Sequence, residues 1–155
     1  MNDDEADLVE QMAQMLAEGG LSRAAGRIWA WLLICEPPQQ TAADLADTLH
    51  ISRGAVSEAV RLLVTAGLVR RTSRRGDRRQ YFHVPPGSTI AVLHARLPIT
   101  TAWRRLADTG LEILADRPVA SRARLQEVRD VYAFMEQELP SLLERFLEQR
   151  KDRTT

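Results

Sequence analysis

The chain has 155 residues, of which 45% are hydrophobic, 5% aromatic and 27% charged, and its formal net charge is zero. This length fits one domain, or a small domain with helical extensions, and the composition excludes a disordered chain. The only cysteine, Cys35, excludes an internal disulfide, the acidic start does not resemble a signal peptide, and no apolar run approaches a membrane span. We therefore expect a helix-rich cytoplasmic protein without a membrane partner.

The charges are distributed unevenly along the chain. Residues 1–20 contain six acidic groups and no basic one, whereas residues 51–84 contain eight arginines against Glu58 and Asp77. A basic block confined to one segment is typical of an electrostatic docking face for nucleic acid. Because arginine is the usual basic residue throughout this chain, a solvated arginine-rich loop is the alternative interpretation.

Residues 3–18 have the apolar spacing of an α-helix that ends at Gly19. Leu8, Met12 and Met15 fall on one side of it and form a narrow apolar stripe on an otherwise acidic helix. Such a stripe on an acidic helix needs a partner surface.

Ser22 can cap a second helix that extends to Cys35 and is apolar on nearly all sides. This pattern predicts a central buried helix, which Pro37 stops. Trp29 and Trp31 lie two positions apart and therefore point to different sides. Core packing is expected for both, and the wall of a ligand pocket is the alternative for one of them. Cys35 has no nearby cation to lower its pKa, so a redox role is not expected.

Residues 41–66 predict two short helices joined by a tight turn. Thr41 and Asp44 have capping-box spacing, Ser52 can cap the second helix, and Gly67 suits the left-handed position that ends it. Three apolar residues share the core face of the second helix: Val56, Val60 and Leu63. Three polar residues recur every four positions on another face: Arg53, Ser57 and Arg61. Two helices in this order predict a helix-turn-helix whose second helix has a free polar face.

A basic hairpin follows the two helices. Residues 68–72 and 80–84 predict two strands, and residues 73–78 connect them. A hairpin directly after a helix-turn-helix makes a winged helix.

After Pro85, Ser88 begins another helical run to about residue 115, which Pro98 is expected to kink or split. The packing side of this run is expected to comprise Trp103, Leu106 and either Leu111 or Ile113.

Residues 119–149 have the most regular apolar periodicity in the chain, with seven residues at alternating steps of three and four. This seam comprises Leu125, Val128, Tyr132, Met135, Leu139, Leu142 and Phe146. A long helix lying on its own subunit is one interpretation. The seam is roughly 30 Å long at 1.5 Å per residue, however, and exceeds what a small winged domain covers. Pairing with a second chain is therefore favoured, with a bend expected at Pro140.

Sequence motifs of enzymes are absent. The chain has no phosphate-binding glycine loop, nucleophile elbow or zinc-protease motif, and His50, His83 and His94 lack ligand spacing. We therefore expect no enzymatic activity, no catalytic residue, no metal site and no cofactor.

Two stretches, DLADTLHISRGAVSEAVRLLVTAGLV (44–69) and GDRRQYFHV (76–84), resemble the MarR family of bacterial winged-helix transcription regulators. The second stretch contains the family's Asp-x-Arg as Asp77 and Arg79. The order of helices, wing and long helices extends the resemblance to nearly all of the chain. It is most similar to actinobacterial members that control membrane-transporter operons, and residues 22–37 are also of that type.

The resemblance implies a mainly α fold: a winged helix-turn-helix with a two-stranded β wing and long N- and C-terminal dimerisation helices. Residues 21–87 would form the DNA-binding domain, and residues 1–20 and 88–155 the dimerisation region. In that region the α-helical stripe at Leu8, Met12 and Met15 and the seam from Leu125 to Phe146 would form the dimer interface.

The resemblance implies a homodimeric, sequence-specific regulator that binds a palindromic operator in double-stranded DNA. It would act as a repressor, and a small apolar or amphipathic ligand would relieve the repression. The residues expected to contact DNA are Ser52, Arg53, Gly54, Ser57, Arg61, Arg74, Arg75, Asp77, Arg78 and Arg79. Asp77 would orient Arg79 for insertion into the minor groove. The effector pocket would lie near Trp31, Trp103 and Phe134. A winged-helix protein-interaction module without sequence-specific DNA binding is the alternative function.

Overall fold

The computed structural model describes residues 1–152 and is mainly helical, which confirms the predicted fold class. In chain order the elements are α1 (Asp3–Glu18), α2 (Arg23–Ile34), β1 (Gln40–Thr41), α3 (Ala42–Leu49), α4 (Arg53–Thr65), β2 (Arg70–Ser73), β3 (Gln80–His83), α5 (Ser88–Ile113) and α6 (Val119–Asp152). The last three residues of the predicted 88–155 region lie outside this description. Within residues 1–152, none of the helices combines the length and apolar character needed to cross a membrane.

The chain forms two compact units, and the boundary between them follows Thr89. The first unit contains α1 together with the winged helix, so α1 packs with the winged-helix elements of its own chain. The assignment of residues 1–20 to a dimerisation region stays a prediction.

Helix α1 crosses α2 at close range. A Cβ atom added to Gly26 would lie 2.9 Å from the Cα of Ala13, so glycine is what permits the approach. Next to this crossing, the Glu10 carboxylate forms ion pairs with both Arg23 and Arg27. The two helices are therefore joined by a close backbone contact and by two ion pairs.

The apolar stripe predicted on α1 is only partly used within the chain. Val9 and Ala13 are buried and Met12 packs against the core, but Leu8 is 44% exposed and Met15 is 73% exposed. The buried side of α1 is thus rotated from the predicted stripe, because the small residue Ala13 allows α2 to come close.

The core of the first unit lies among α2, α3 and α4. Its largest fully buried side chains are Ile28, Leu45, Leu49, Leu63, Val9, Val56 and Val69. The predicted caps are confirmed: Thr41 and Asp44 form a capping box, and the Oγ of Ser52 accepts a hydrogen bond from the Ala55 amide at 3.2 Å. The predicted left-handed residue after α4 is also confirmed, since Gly67 has φ 74°.

The sheet is one strand wider than the predicted two-stranded wing. β2 pairs with β3 in antiparallel register from Arg70↔His83 to Ser73↔Gln80, and β1 pairs with the other edge of β3. β1 has only two residues, too few for a periodic pattern, and for this reason the sequence did not reveal it. Because Thr41 both ends β1 and caps α3, the wing is joined directly to the helix-turn-helix.

In the second unit, α5 and α6 form an antiparallel hairpin. Glu136 accepts hydrogen bonds from Thr101 (2.8 Å) and from Arg104, and Asp108 pairs with Arg104 (2.6 Å) and Arg129 (3.0 Å). Charged side chains therefore supply much of the contact between the two helices. α5 is continuous through Pro98, so the predicted alternative of a split helix is wrong, and α6 continues through Pro140.

The predicted packing side of α5 is only partly used within the single chain. Trp103 contacts α6 through Tyr132 and Leu111 is half-buried, but Leu106 and Ile113 are 63% and 78% exposed. The predicted seam of α6 is likewise incompletely covered, since Val128, Leu142 and Phe146 are all exposed. Ion pairs and the Trp103–Tyr132 contact join α5 to α6, and several large apolar side chains stay exposed in the second unit.

Candidate nucleic-acid interface

The second helix of the helix-turn-helix, α4, has one buried and one free face. Val56, Ala59, Val60 and Leu63 are buried on the core side. The predicted contact residues Ser52, Arg53, Gly54, Ser57 and Arg61 are all exposed. An added Cβ at Gly54 would meet only the Ser52 Oγ, at 3.9 Å, so the first turn of α4 is open to a ligand. The polar face predicted from the sequence is therefore exposed to solvent along α4.

At the tip of the wing, Asp77 binds the Arg79 guanidinium through two nitrogens. The Nε of Arg79 donates to both carboxylate oxygens at 3.0 and 3.1 Å, and its Nη2 donates to Oδ2 at 2.9 Å. The Arg79 amide also donates to Oδ1 at 2.9 Å, so the carboxylate holds the backbone as well as the side chain. Gly76 precedes this pair with φ 82°, a left-handed conformation that favours glycine in the turn.

Tyr81, the second residue of β3, completes this cluster. Its hydroxyl donates to Asp77 Oδ2 at 2.7 Å, and the guanidinium carbons of Arg74 and Arg79 lie 4.1 and 5.6 Å from its ring centroid. Arg74 additionally donates to the side-chain oxygen of Gln39 at 3.2 Å. Tyr81 itself is buried. It was not among the predicted site residues, and its only sequence signal is a tyrosine four residues after the aspartate of the Asp-x-Arg.

The hydrogen bonds of the cluster shift its ionisation. Donation from the Arg79 side chain, and then from the Arg79 amide and Tyr81, holds the pKa of Asp77 well below its usual range. The same bond to Asp77 raises the pKa of Tyr81, which keeps the phenol protonated as a donor. The carboxylate is therefore ionised, and the tyrosine neutral, throughout the physiological pH range.

The remaining arginines of this region have no such partners. Six of the eight form no ion pair, hydrogen bond or ring contact with any described residue: Arg53, Arg61, Arg70, Arg71, Arg75 and Arg78. All six are exposed. The helix and wing thus present a set of uncompensated positive charges beside two arginines held in fixed positions.

A small cavity lies beside two of the predicted contact residues of α4, Ser57 and Arg61. It has a volume of about 250 Å³ and lies between α4 and the wing, where Ser57 and Arg61 meet Arg71 and Gln80. Arg71 and Gln80 were not predicted as site residues, because their position beside α4 depends on the strand register.

The three residues predicted to line an effector pocket are divided between the two units. Trp31 is buried in the first unit, and its indole N–H has no partner among the described residues. In the second unit, Trp103 stacks on Tyr132 with ring centroids 5.6 Å apart, and Phe134 is exposed. A cavity of about 620 Å³ in the second unit is lined by Leu111 and by residues of α6 between Val119 and Val131. It contains none of the three, and their role in ligand binding stays a prediction.

Among residues 1–152 no group of three or more His, Cys, Asp or Glu side chains could hold a metal ion. Cys35 is buried at the end of α2, and burial raises the pKa of its thiol.

Two family models match the chain. The first, described as "MarR family", matches residues 19–80, and the second, described as "MmpR5-like MarR family transcriptional regulator", matches residues 87–150. The HTH-type transcriptional regulator MmpR5 of Mycobacterium tuberculosis (strain ATCC 25618 / H37Rv) is 37% identical over 140 residues, which cover 90% of this chain and 85% of that protein. A crystal structure described as that of a transcriptional regulator is 36% identical, with a TM-score of 0.77, and the match covers 94% of this chain and 99% of that one.

Proposed function

The chain belongs to the MarR family of winged-helix transcriptional regulators, and from this premise we propose that it is a homodimeric repressor that binds a palindromic DNA operator in the cytoplasm. A small apolar or amphipathic ligand relieves the repression. The likeness to a mycobacterial regulator agrees with the predicted actinobacterial subgroup, so a membrane-transporter operon is the proposed target.

One observation carries the proposal of DNA binding: six of the eight exposed arginines of α4 and the wing lack partners within the described part of the chain. Uncompensated guanidinium groups on one surface attract the phosphate backbone, which supplies most of the affinity for any DNA sequence. The polar side chains on α4 would read base edges in the major groove, where each base pair presents a distinct pattern.

The proposed dimer is supported by the apolar side chains that the single chain leaves exposed. On α6 these include Val128, Leu142 and Phe146 of the seam, and on α1 they include Leu8 and Met15. A monomer rarely exposes so many large apolar residues on two helices. In a symmetric dimer, two copies of α4 would enter successive major grooves roughly 34 Å apart, which is why the operator should be a palindrome.

The ligand response follows from the requirement for two correctly spaced copies of α4. An effector can release DNA only if it binds differently to the DNA-competent and DNA-incompetent spacings. The proposed effector is apolar or amphipathic by family membership and by the aromatic residues Trp31, Trp103 and Phe134.

Fluorescence anisotropy tests this function directly. A labelled duplex selected by the chain from a random library should bind more tightly than a scrambled duplex of the same composition. Both affinities should fall steeply as salt is raised from 50 to 200 mM, as expected for a protein that contacts several phosphates. A protein-interaction module would bind neither duplex with sequence preference, and that result would refute the proposal.

A further inference from the structure

The cavity between α4 and the wing has an apolar floor and a polar rim. Its floor contains the buried side chains of Val56, Val60 and Phe82. Its rim contains four groups that can bind an anion: Ser57 and Arg61 from α4, and Arg71 and Gln80 from the two wing strands. Two separate structural elements therefore contribute one guanidinium each to the same opening.

The strand register explains why Arg71, and not its neighbour, reaches this opening. Arg71 pairs with Phe82 across β2 and β3, and directly opposed residues share one face of a sheet. Gln80 lies two residues before Phe82 and so falls on that face as well. Arg70 pairs with His83 and projects to the other face, where Tyr81 contacts Arg74 and Asp77. The wing thus has a cavity face and a separate face with the Asp77 cluster.

The two arginines at the rim are not neutralised. Neither Arg61 nor Arg71 has an ion pair or hydrogen bond within the described residues, and both are exposed. The only acid on α4, Glu58, lines a second cavity together with Arg61, near Ser22, but forms no ion pair with it. Two like charges around one small opening repel each other, and an anion between them removes that repulsion and gains charge-assisted hydrogen bonds.

We propose that this cavity binds one phosphate of the DNA backbone. The phosphate lies between Arg61 and Arg71 and accepts further hydrogen bonds from Ser57 and Gln80. This inference rests on the proposed DNA binding and adds a site to it: a phosphate contact that fixes the position of α4 relative to the wing on the same strand.

Adjacent arginines provide the test. Arg71→Gln and Arg70→Gln each remove one exposed, unpartnered positive charge from β2, but only Arg71 lines the cavity. With a duplex selected by the wild-type chain, Arg71→Gln should weaken binding about tenfold, as expected for a lost hydrogen-bonded ion contact. It should also reduce the slope of log affinity against log salt by about one. Arg70→Gln should weaken binding less than about twofold, through the screened long-range field alone. Equal effects of the two variants would overturn the inference.

A second measurement identifies the phosphate itself. In a series of duplexes, single phosphates are replaced one at a time by uncharged methylphosphonates. One replacement should weaken binding by the wild type and by Arg70→Gln, yet have no further effect on Arg71→Gln, because the contact is already lost. If every replacement costs Arg71→Gln as much as the wild type, Arg71 has no phosphate of its own and the inference fails. That failure is distinct from a failure of DNA binding, in which the wild type would bind none of the duplexes.

Discussion

Asp77 holds the guanidinium of Arg79 at the tip of the wing by hydrogen bonds of 2.9–3.1 Å, although the arginine side chain is 67% exposed. An exposed arginine would ordinarily sample many rotamers, and ordering it on DNA would cost conformational entropy. Here the side chain is ordered before DNA arrives. On the proposed function, the carboxylate would have two opposing effects on DNA affinity: it would repel phosphate, and it would orient the arginine.

Asp77→Ala separates these two effects. It removes a negative charge, which alone should strengthen binding, but we expect several-fold weaker binding because Arg79 loses its fixed pose. Glu58→Ala is the matched control, since it removes an exposed acid from α4 that orders no arginine. That control should bind as tightly as the wild type or more tightly. Tighter binding by Asp77→Ala, measured by anisotropy, would mean that Asp77 is merely a solvated wing residue.

Tyr81→Phe tests whether the tyrosine hydroxyl stabilises the pair formed by Asp77 and Arg79. The variant keeps the aromatic ring next to Arg74 and removes the 2.7 Å hydrogen bond to Asp77. We expect a modest loss of DNA affinity, because the Asp77 carboxylate keeps its Arg79 bonds but loses one donor. Tyr81→Leu, which also removes the ring, should bind DNA more weakly still. If the two variants bind alike, the ring has no part in positioning Arg74.

Gly26→Ala tests the crossing of α1 and α2. The new Cβ would lie 2.9 Å from the Ala13 backbone, which cannot move aside as a flexible side chain could. Overpacking of this kind costs up to about 3 kcal/mol, more than the roughly 1 kcal/mol that alanine gains over glycine in a helix. Gly54→Ala is the control, because its Cβ meets only Ser52 Oγ at 3.9 Å, and it should be neutral or stabilising. The urea midpoint of unfolding should therefore fall for Gly26→Ala and stay the same or rise for Gly54→Ala. An unchanged midpoint in Gly26→Ala would contradict the close crossing of the two helices.

Leu139→Asp tests the proposed dimer. Leu139 belongs to the seam on α6 and is half-buried in the single chain. An aspartate there would place an unpaired charge in the apolar interface, so we expect monomers and weak operator binding. Gln137→Asp introduces the same charge at an exposed position outside the seam and should remain dimeric. Light scattering that shows a monomeric wild type at micromolar concentration would contradict the dimer.

The features that were predicted correctly from the sequence depend on contacts between residues close together in the chain. The caps at Thr41 and Ser52 and the left-handed Gly67 depend on a few neighbouring residues, and all three are confirmed. The exposed face of α4 follows from its period of 3.6 residues.

The features that sequence reasoning missed depend on contacts between distant residues. β1 is defined only by its pairing with β3, and Arg71 reaches the cavity only through the register of β2. The packing side of α5 was predicted only in part, because ion pairs such as Arg104 with Glu136 join α5 to α6 beside the Trp103–Tyr132 stack. Pairing of charges across 32 positions leaves no periodic signal in the sequence.

The central claim is that α4 reads the sequence while the wing supplies affinity, and one comparison tests it most directly. The ratio of affinities for the selected duplex and a scrambled duplex is measured for the wild type, Arg53→Ala and Arg79→Ala. Arg79→Ala should weaken both affinities together and keep the ratio, because the wing contacts phosphates and the degenerate minor groove. Arg53→Ala should lower the ratio by a factor equivalent to about 1–3 kcal/mol. A wild-type ratio of one, or an unchanged ratio in Arg53→Ala with a lowered ratio in Arg79→Ala, would contradict the account.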